Sequence, residues 1–267
     1  MPTRTLPTRT LALITPGAVS GTPFARFPGL ARLVTHIVAP SYRQASRVAN
    51  TMYFARACRS FAEAREASVF LICDEARVEL VERAWSDWRH KTVLLALAEP
   101  EAAAARFREY GASVATVIVV DEVHPCRFFV EGDDAAVVVA KKLFESVRGE
   151  VGVTSPGSRH HIEAMRLLAG PILMGVLESA NLHLRRSGLP LEEIRSLLGR
   201  FAAQTLRVHQ RSGARTWRAT NTRELAVLLA RLAEADPQLA AHLHASESAT
   251  RALIEPEPEP VGTAKRP

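Results

Sequence analysis

Between residues 10 and 154, short and mostly apolar runs alternate with stretches in which apolar residues return every three or four positions. Leu11–Ile14, Val34–Ala39, Val69–Ile72, Lys91–Ala98 and Ala112–Val120 are the apolar runs, each of a length that suits a buried strand. Between them, Tyr42–Ala55 sets Ala45, Val48, Ala49 and Met52 on one helical face. Glu75–Trp88 carries Val78, Leu80, Val81 and Trp85, and Glu99–Tyr110 is rich in alanine. Phe24–Leu33 predicts a first helix that Pro23 and Pro28 make short or irregular. Beyond Phe128–Asp133, a helix over Ala135–Val147 and a strand over Val151–Thr154 complete one more unit. Strands alternating with helices through short loops predict a parallel sheet covered on both faces.

After Ser155-Pro156-Gly157-Ser158 the pattern becomes helical throughout. Arg159–Arg186 is long and apolar, with Pro171 set to kink it. Gly188 stops that helix and Pro190 starts the next, Leu191–Gln210, which Gly213 closes. Thr222 caps Arg223–Glu234, and Asp236-Pro237 opens a last helix to Leu253. Arg159–Arg186 is too apolar for a lone surface helix, so it predicts a bundle centre or a dimer seam. The expected organisation is a flexible arm (1–9), an α/β domain (10–154), an all-helical domain (155–254) and a Pro/Glu-rich disordered tail (255–267).

Composition narrows the function classes. The net charge of +6 is ordinary for solubility, and no aromatic–basic interleaving predicts a nucleic-acid partner. Cys58, Cys73 and Cys126 fit neither a disulfide framework nor a zinc site, which predicts a cytoplasmic protein. No uninterrupted apolar run reaches the roughly 18 residues of a membrane span. His183, His209, His242 and His244 lack metal-ligand spacing, so no metal is expected. Neither a G-x-S-x-G nor an H-E-x-x-H motif occurs.

The candidate chemistry gathers after the predicted strands. Thr15-Pro16-Gly17-Ala18-Val19-Ser20-Gly21 follows the first strand and reads as an eroded G-x-G-x-x-G. Thr15 holds the first glycine position and Gly17 the second; Ser20 holds the third, with Gly21 beside it. In the intact pattern those glycines bring backbone close to a pyrophosphate. After the second strand, Ser41 and Arg43 stand where an acidic residue would hold a ribose hydroxyl. A hydroxyl with a guanidinium suits a 2′-phosphate, and so NADP over NAD. Asp74 follows the third strand, where it could face a ligand or cap the next helix. His161 opens the long helix, where an imidazole could shuttle a proton, although a capping or interface role accounts for it better, since no partner carboxylate or asparagine is evident.

Several of these segments, in this order, carry a resemblance to a family. Phe129-Val130-Glu131-Gly132-Asp133 resembles an F-x-I-E-G-D motif, and Arg159-His160-His161-Ile162-Glu163-Ala164 resembles a Tyr-His-x-Ala segment. Gly188-Leu189-Pro190, Ile72-Cys73-Asp74-Glu75-Ala76 and Ser41–Ala49 resemble further segments of the same family. Its members are oxidoreductase-like proteins joining a Rossmann-like domain to an all-helical domain of unknown function. They are similar in architecture to deazaflavin-dependent NADP reductase, pyrroline-carboxylate reductase and the 6-phosphogluconate dehydrogenase group. The resemblance implies a Rossmann-like α/β domain followed by an all-α domain, NADP as cofactor, a small-molecule ligand and a homodimer paired through the C-terminal helices. It implies Thr15, Gly17, Ala18, Val19, Gly21, Ser41, Arg43 and Asp74 as cofactor-binding and His161 as the catalytic candidate.

The chain also departs from that family. A His-Ser-Gly-like segment reads Leu95-Ala96-Leu97-Ala98, a His-Pro pair reads Ile118-Val119, and an expected asparagine is Ala169. A late Gly-Pro-x-x-Arg-Gly-Asp segment is missing from Trp217–Arg223. Polar and glycine positions are lost while the apolar scaffold stays. The sequence thus predicts an NADP-dependent oxidoreductase-like protein with reduced or lost activity. The alternative is a non-catalytic dimeric scaffold or ligand sensor.

Overall fold

The computed structural model describes residues 10–84, 87–121, 125–213 and 222–254. The predicted arm, the predicted tail and residues 217–221 of the late segment lie outside the described residues. The chain divides into two compact units, with the boundary at Ile172/Leu173.

The first unit is built on eight strands: β1 (Leu11–Ile14), β2 (Val34–Val38), β3 (Arg56–Ala57), β4 (Val69–Ile72), β5 (Thr92–Leu95), β6 (Ser113–Asp121), β7 (Arg127–Gly132) and β8 (Glu150–Val153). Their spatial order is β3-β2-β1-β4-β5-β6-β7-β8, so the chain reverses direction across the sheet between β1 and β4. That reversal leaves a crevice at the carboxyl ends of the strands, where open α/β sheets bind ligands. β1 pairs in parallel with β2 and β4, and every residue of β1, β4 and β5 is buried. Burial on both faces explains why these strands read as continuous apolar runs. Leu11 and Leu13 enter one core, and Ala12 and Ile14 the other.

The expectation of an all-parallel sheet needs one correction. β7 runs antiparallel to β6. The link from Asp121 to Arg127 is too short for the crossover of a dozen or more residues that a parallel neighbour requires. β8 then returns parallel to β7 after a full helix, α5 (Asp134–Glu145).

The first helix departs furthest from expectation. Between β1 and β2 there are only a 3-10 turn (Val19–Gly21) and a four-residue helix, α1 (Leu30–Leu33). Phe24 takes the place of a helical face. It is fully buried and stacks on Phe128 at 5.6 Å and Phe144 at 5.8 Å between ring centroids. α2 (Tyr42–Ala49), α3 (Val78–Ala84) and α4 (Glu101–Glu109) complete the predicted layers, and a short α6 (Arg159–Leu167) follows β8.

Pro171 interrupts the long helix as a π-turn, Leu168–Ile172. Proline lacks the N–H of the α ladder and its ring crowds the carbonyl four residues back. The second unit holds α7 (Leu173–Arg186), α8 (Leu191–Ser212), α9 (Thr222–Ala235) and α10 (Pro237–Ile254). α7 contacts α8, and α9 contacts α10. Although no apolar run is uninterrupted, Arg159–Arg186 contains an 18-residue window of mean hydropathy 1.3. By length and composition alone, that helix could also cross a membrane.

Candidate functional site

The carboxyl edge of the sheet gathers the cofactor-binding candidates, but most already have partners within the chain. Thr15 is fully buried, with its Oγ1 directed at the Ala18 carbonyl at 3.3 Å. Gly17 has φ +112°, a conformation open to glycine and strained for other residues. A Cβ added there would stand 2.7 Å from Gln44 Nε2, so the Gln44 amide lies against the turn. The N–H groups of Gly21 and Thr22 donate to the Ala18 and Val19 carbonyls. Val19 packs against the sheet core.

Ser41 caps α2. Its Oγ accepts from the Gln44 N–H at 3.3 Å and donates to Gln44 Oε1 at 2.8 Å. Arg43 stands exposed in the first turn of the same helix. Gln44 thus links Gly17 to Ser41, and the structure brings these two candidate groups together. Asp74 is a cap as well: its Oδ1 accepts from the Ala76 N–H at 3.1 Å. Burial pushes the neighbouring Cys73 thiol well above its ordinary range, so this cysteine is chemically quiet.

The Glu131-Gly132-Asp133 motif is structural. Asp133 accepts from the Val114 N–H at 2.7 Å and from Arg108 Nε at 2.9 Å. Gly132, at φ +142°, lets β6 pass so closely that an added Cβ would stand 2.7 Å from Ala115 Cα.

A cavity lies at the ends of β5 and β6. It measures about 580 Å³, within the size range of small-molecule sites. Ala96, Leu97 and Ala98 form one wall and Val117, Ile118 and Val119 another. Pro23, at the end of the glycine-bearing loop, also reaches it. Glu75 Oε1 pins the first wall by accepting from the N–H groups of Ala98 at 2.9 Å and Glu99 at 3.1 Å. Two of the segments singled out in the sequence, Leu95–Ala98 and Ile118-Val119, therefore border one chamber.

The polar lining comes from α6. Arg159, Glu163 and Arg166 recur at helical spacing and face the cavity. Arg159 is 12% exposed; its Nε contacts Glu163 Oε1 at 2.7 Å and its Nη2 donates to the Leu97 carbonyl at 2.6 Å. Its Nη1 is buried with no hydrogen-bond partner among the described residues. Arg166 forms no ion pair among the described residues. His161 is exposed, with its ring centroid 3.8 Å from that of His160, and is not among the lining residues. The sequence points to His161, whereas the structure places Arg159 and Arg166 on the cavity wall. Their seven-residue spacing on one helical face was the available signal, but an arginine at a helix start reads as a solvated side chain.

No protein-family model and no curated protein matches the chain. Solved structures do. A reductive aminase from Aspergillus terreus, in complex with NADPH and ethyl levulinate, has a TM-score of 0.67 at 15% identity, covering 93% of this chain and 95% of that one. The Streptomyces aurantiacus imine reductase gives 0.64 at 16% identity, covering 92% of each chain. A pyrroline-5-carboxylate reductase from Coxiella burnetii gives 0.56 at 12%, covering 92% of this chain and 98% of that one.

The chain has the reductase fold. Its Rossmann-like sheet and its helical unit both fall within the matched length.

Proposed function

We propose that this protein binds NADP(H) along the carboxyl edge of its sheet and has reduced or lost hydride-transfer chemistry. The observation that carries the proposal is the chamber. The sheet order of a dinucleotide-binding fold is intact, yet Ala96, Leu97, Ala98, Ile118 and Val119 offer no proton donor to a substrate. The lining carboxylate, Glu163, is engaged by Arg159. The solved relatives in complex with NADPH or NADP+ support the cofactor assignment.

In this reading the backbone of Gly17, Ala18, Val19 and Gly21 approaches the pyrophosphate, with Thr15 shaping the turn beneath it. Ser41 and Arg43 hold the 2′-phosphate through a hydroxyl and a guanidinium. Asp74 bounds the crevice from the end of β4. His161 stands off the chamber and takes no assigned step. The apolar helices of the second unit pair two copies into a homodimer, and the protein works in the cytoplasm, in keeping with its three free cysteines.

Thermal unfolding with increasing NADPH and NADH tests the proposal, because a ligand that binds only the folded state raises the midpoint with its concentration. NADPH should stabilise more than NADH, and Arg43→Ala should weaken NADPH about tenfold while leaving NADH little changed. Equal losses would remove the 2′-phosphate assignment.

A second reading, a ligand sensor without a dinucleotide, is favoured by one observation. Gln44 lies against Gly17, and no long first helix presents its N-terminus to a phosphate. If neither nucleotide shifts the midpoint at millimolar concentration, this second reading stands.

A further inference from the structure

We infer that the chamber at the ends of β5 and β6 takes a small acid: an apolar body carrying one carboxylate, read by Arg159 and Arg166. The inference rests on the reading of this chamber as a small-molecule site and adds the chemical class of its ligand.

Three observations converge. The first is the Arg159 guanidinium, which is fixed at two of its three nitrogens. Nε is held by Glu163 and Nη2 by the Leu97 carbonyl, so the plane of the group is set before any ligand arrives. Its remaining nitrogen, Nη1, is buried without a partner among the described residues. An unpaired charged donor in a buried position is costly unless something accepts from it. A carboxylate matches a guanidinium edge better than a neutral carbonyl does, because both partners are charged.

The second is the charge balance. Arg159 and Arg166 face the chamber against the single carboxylate of Glu163, so the lining carries a net positive charge. A cationic ligand meets that excess unfavourably, and a neutral one leaves Nη1 poorly satisfied.

The third is the rest of the wall. Ala96, Leu97, Ala98, Val117, Ile118, Val119 and Leu167 supply only apolar side chains. A sugar or a polyol would bury hydroxyls there without partners, whereas an alicyclic or short aliphatic body would not. The chamber therefore selects for an acid at one end and hydrocarbon at the other.

The test uses the full chain without nucleotide and a matched pair of probes, cyclohexanecarboxylate and cyclohexanecarboxamide, titrated calorimetrically near neutral pH. The acid should bind about tenfold or more tightly than the amide. Arg166→Ala should reduce that preference several-fold. Arg159→Lys, which keeps the charge but removes the guanidinium edge, should reduce it further. Glu163→Gln should preserve or raise affinity for the acid, because it removes the competing anion. Each variant is first shown by circular dichroism and thermal unfolding to fold as the parent does. Equal binding of acid and amide, no binding of the acid at millimolar concentration, or an acid preference untouched in folded Arg166→Ala and Arg159→Lys would overturn the inference.

NADPH is titrated separately into the same variants. No acid preference in the parent chain, with its NADPH response intact, would sink this inference alone. Acid binding without any NADPH response would sink the cofactor proposal alone.

Discussion

The two units of this chain solve burial differently. In the sheet unit every residue of β1, β4 and β5 is buried, and aromatic rings from loop, strand and helix stack into one cluster. In the helical unit, Ile194 and Ala240 are the buried apolar side chains among the described residues. Met174, Val176, Leu182, Phe201, Leu206 and Leu228 remain more than half exposed there. Apolar surface on that scale marks an interaction face. The first unit completes its own core, and the second leaves the apolar surface that the proposed homodimer would cover.

That contrast can be broken from either side. The largest expected effect is in the sheet unit. Phe24→Ala removes a fully buried ring touching Phe27, Phe128 and Phe144, and should cost about 3–5 kcal/mol in urea unfolding. A loss below about 1 kcal/mol would mean that this loop does not stand in for a helix. In the helical unit the same kind of change should act on assembly. Val176→Asp combined with Phe201→Asp should convert dimer to monomer in sedimentation experiments, with far-ultraviolet circular dichroism retained. A parent chain that sediments as a monomer would end the homodimer proposal.

The smallest effect sharpens the comparison through pH. His36 is buried in β2; burial first, and the nearby Arg56 second, lower its pKa below the ordinary 6.5. The unfolded chain therefore binds the proton more readily than the folded one. Its contribution to stability is complete above the unfolded value and is lost as pH falls through the lowered one. The sheet unit should weaken as pH drops from neutral towards about 5, and His36→Gln should flatten that slope in urea titrations. An unchanged slope would show that His36 is not the group responsible.

The sequence makes much of this legible, for identifiable reasons. β1, β2, β4, β5 and β6 are readable because strands buried on both faces leave predominantly apolar runs. Pro171 announces its own interruption. The collapse of the first helix is not readable, because Phe24 is drawn into a cluster whose other members lie up to 120 residues away, at Phe144. The reversed direction of β7 is also hidden, since strand periodicity is the same in either direction. At the candidate site, Gly17, Ser41 and Arg43 are proposed from position along the chain, and Arg159 could not be. Its significance lies in contacts with Leu97 and Glu163, and the first of these joins residues 62 apart.

The amide of Gln44 has a further consequence. It satisfies the Ser41 hydroxyl and fills the space over Gly17, so the empty turn is already at rest. If the proposed cofactor site holds, an arriving anion would first displace the Gln44 amide, and on the order of 1 kcal/mol of its binding free energy, one such hydrogen bond, would go into that exchange.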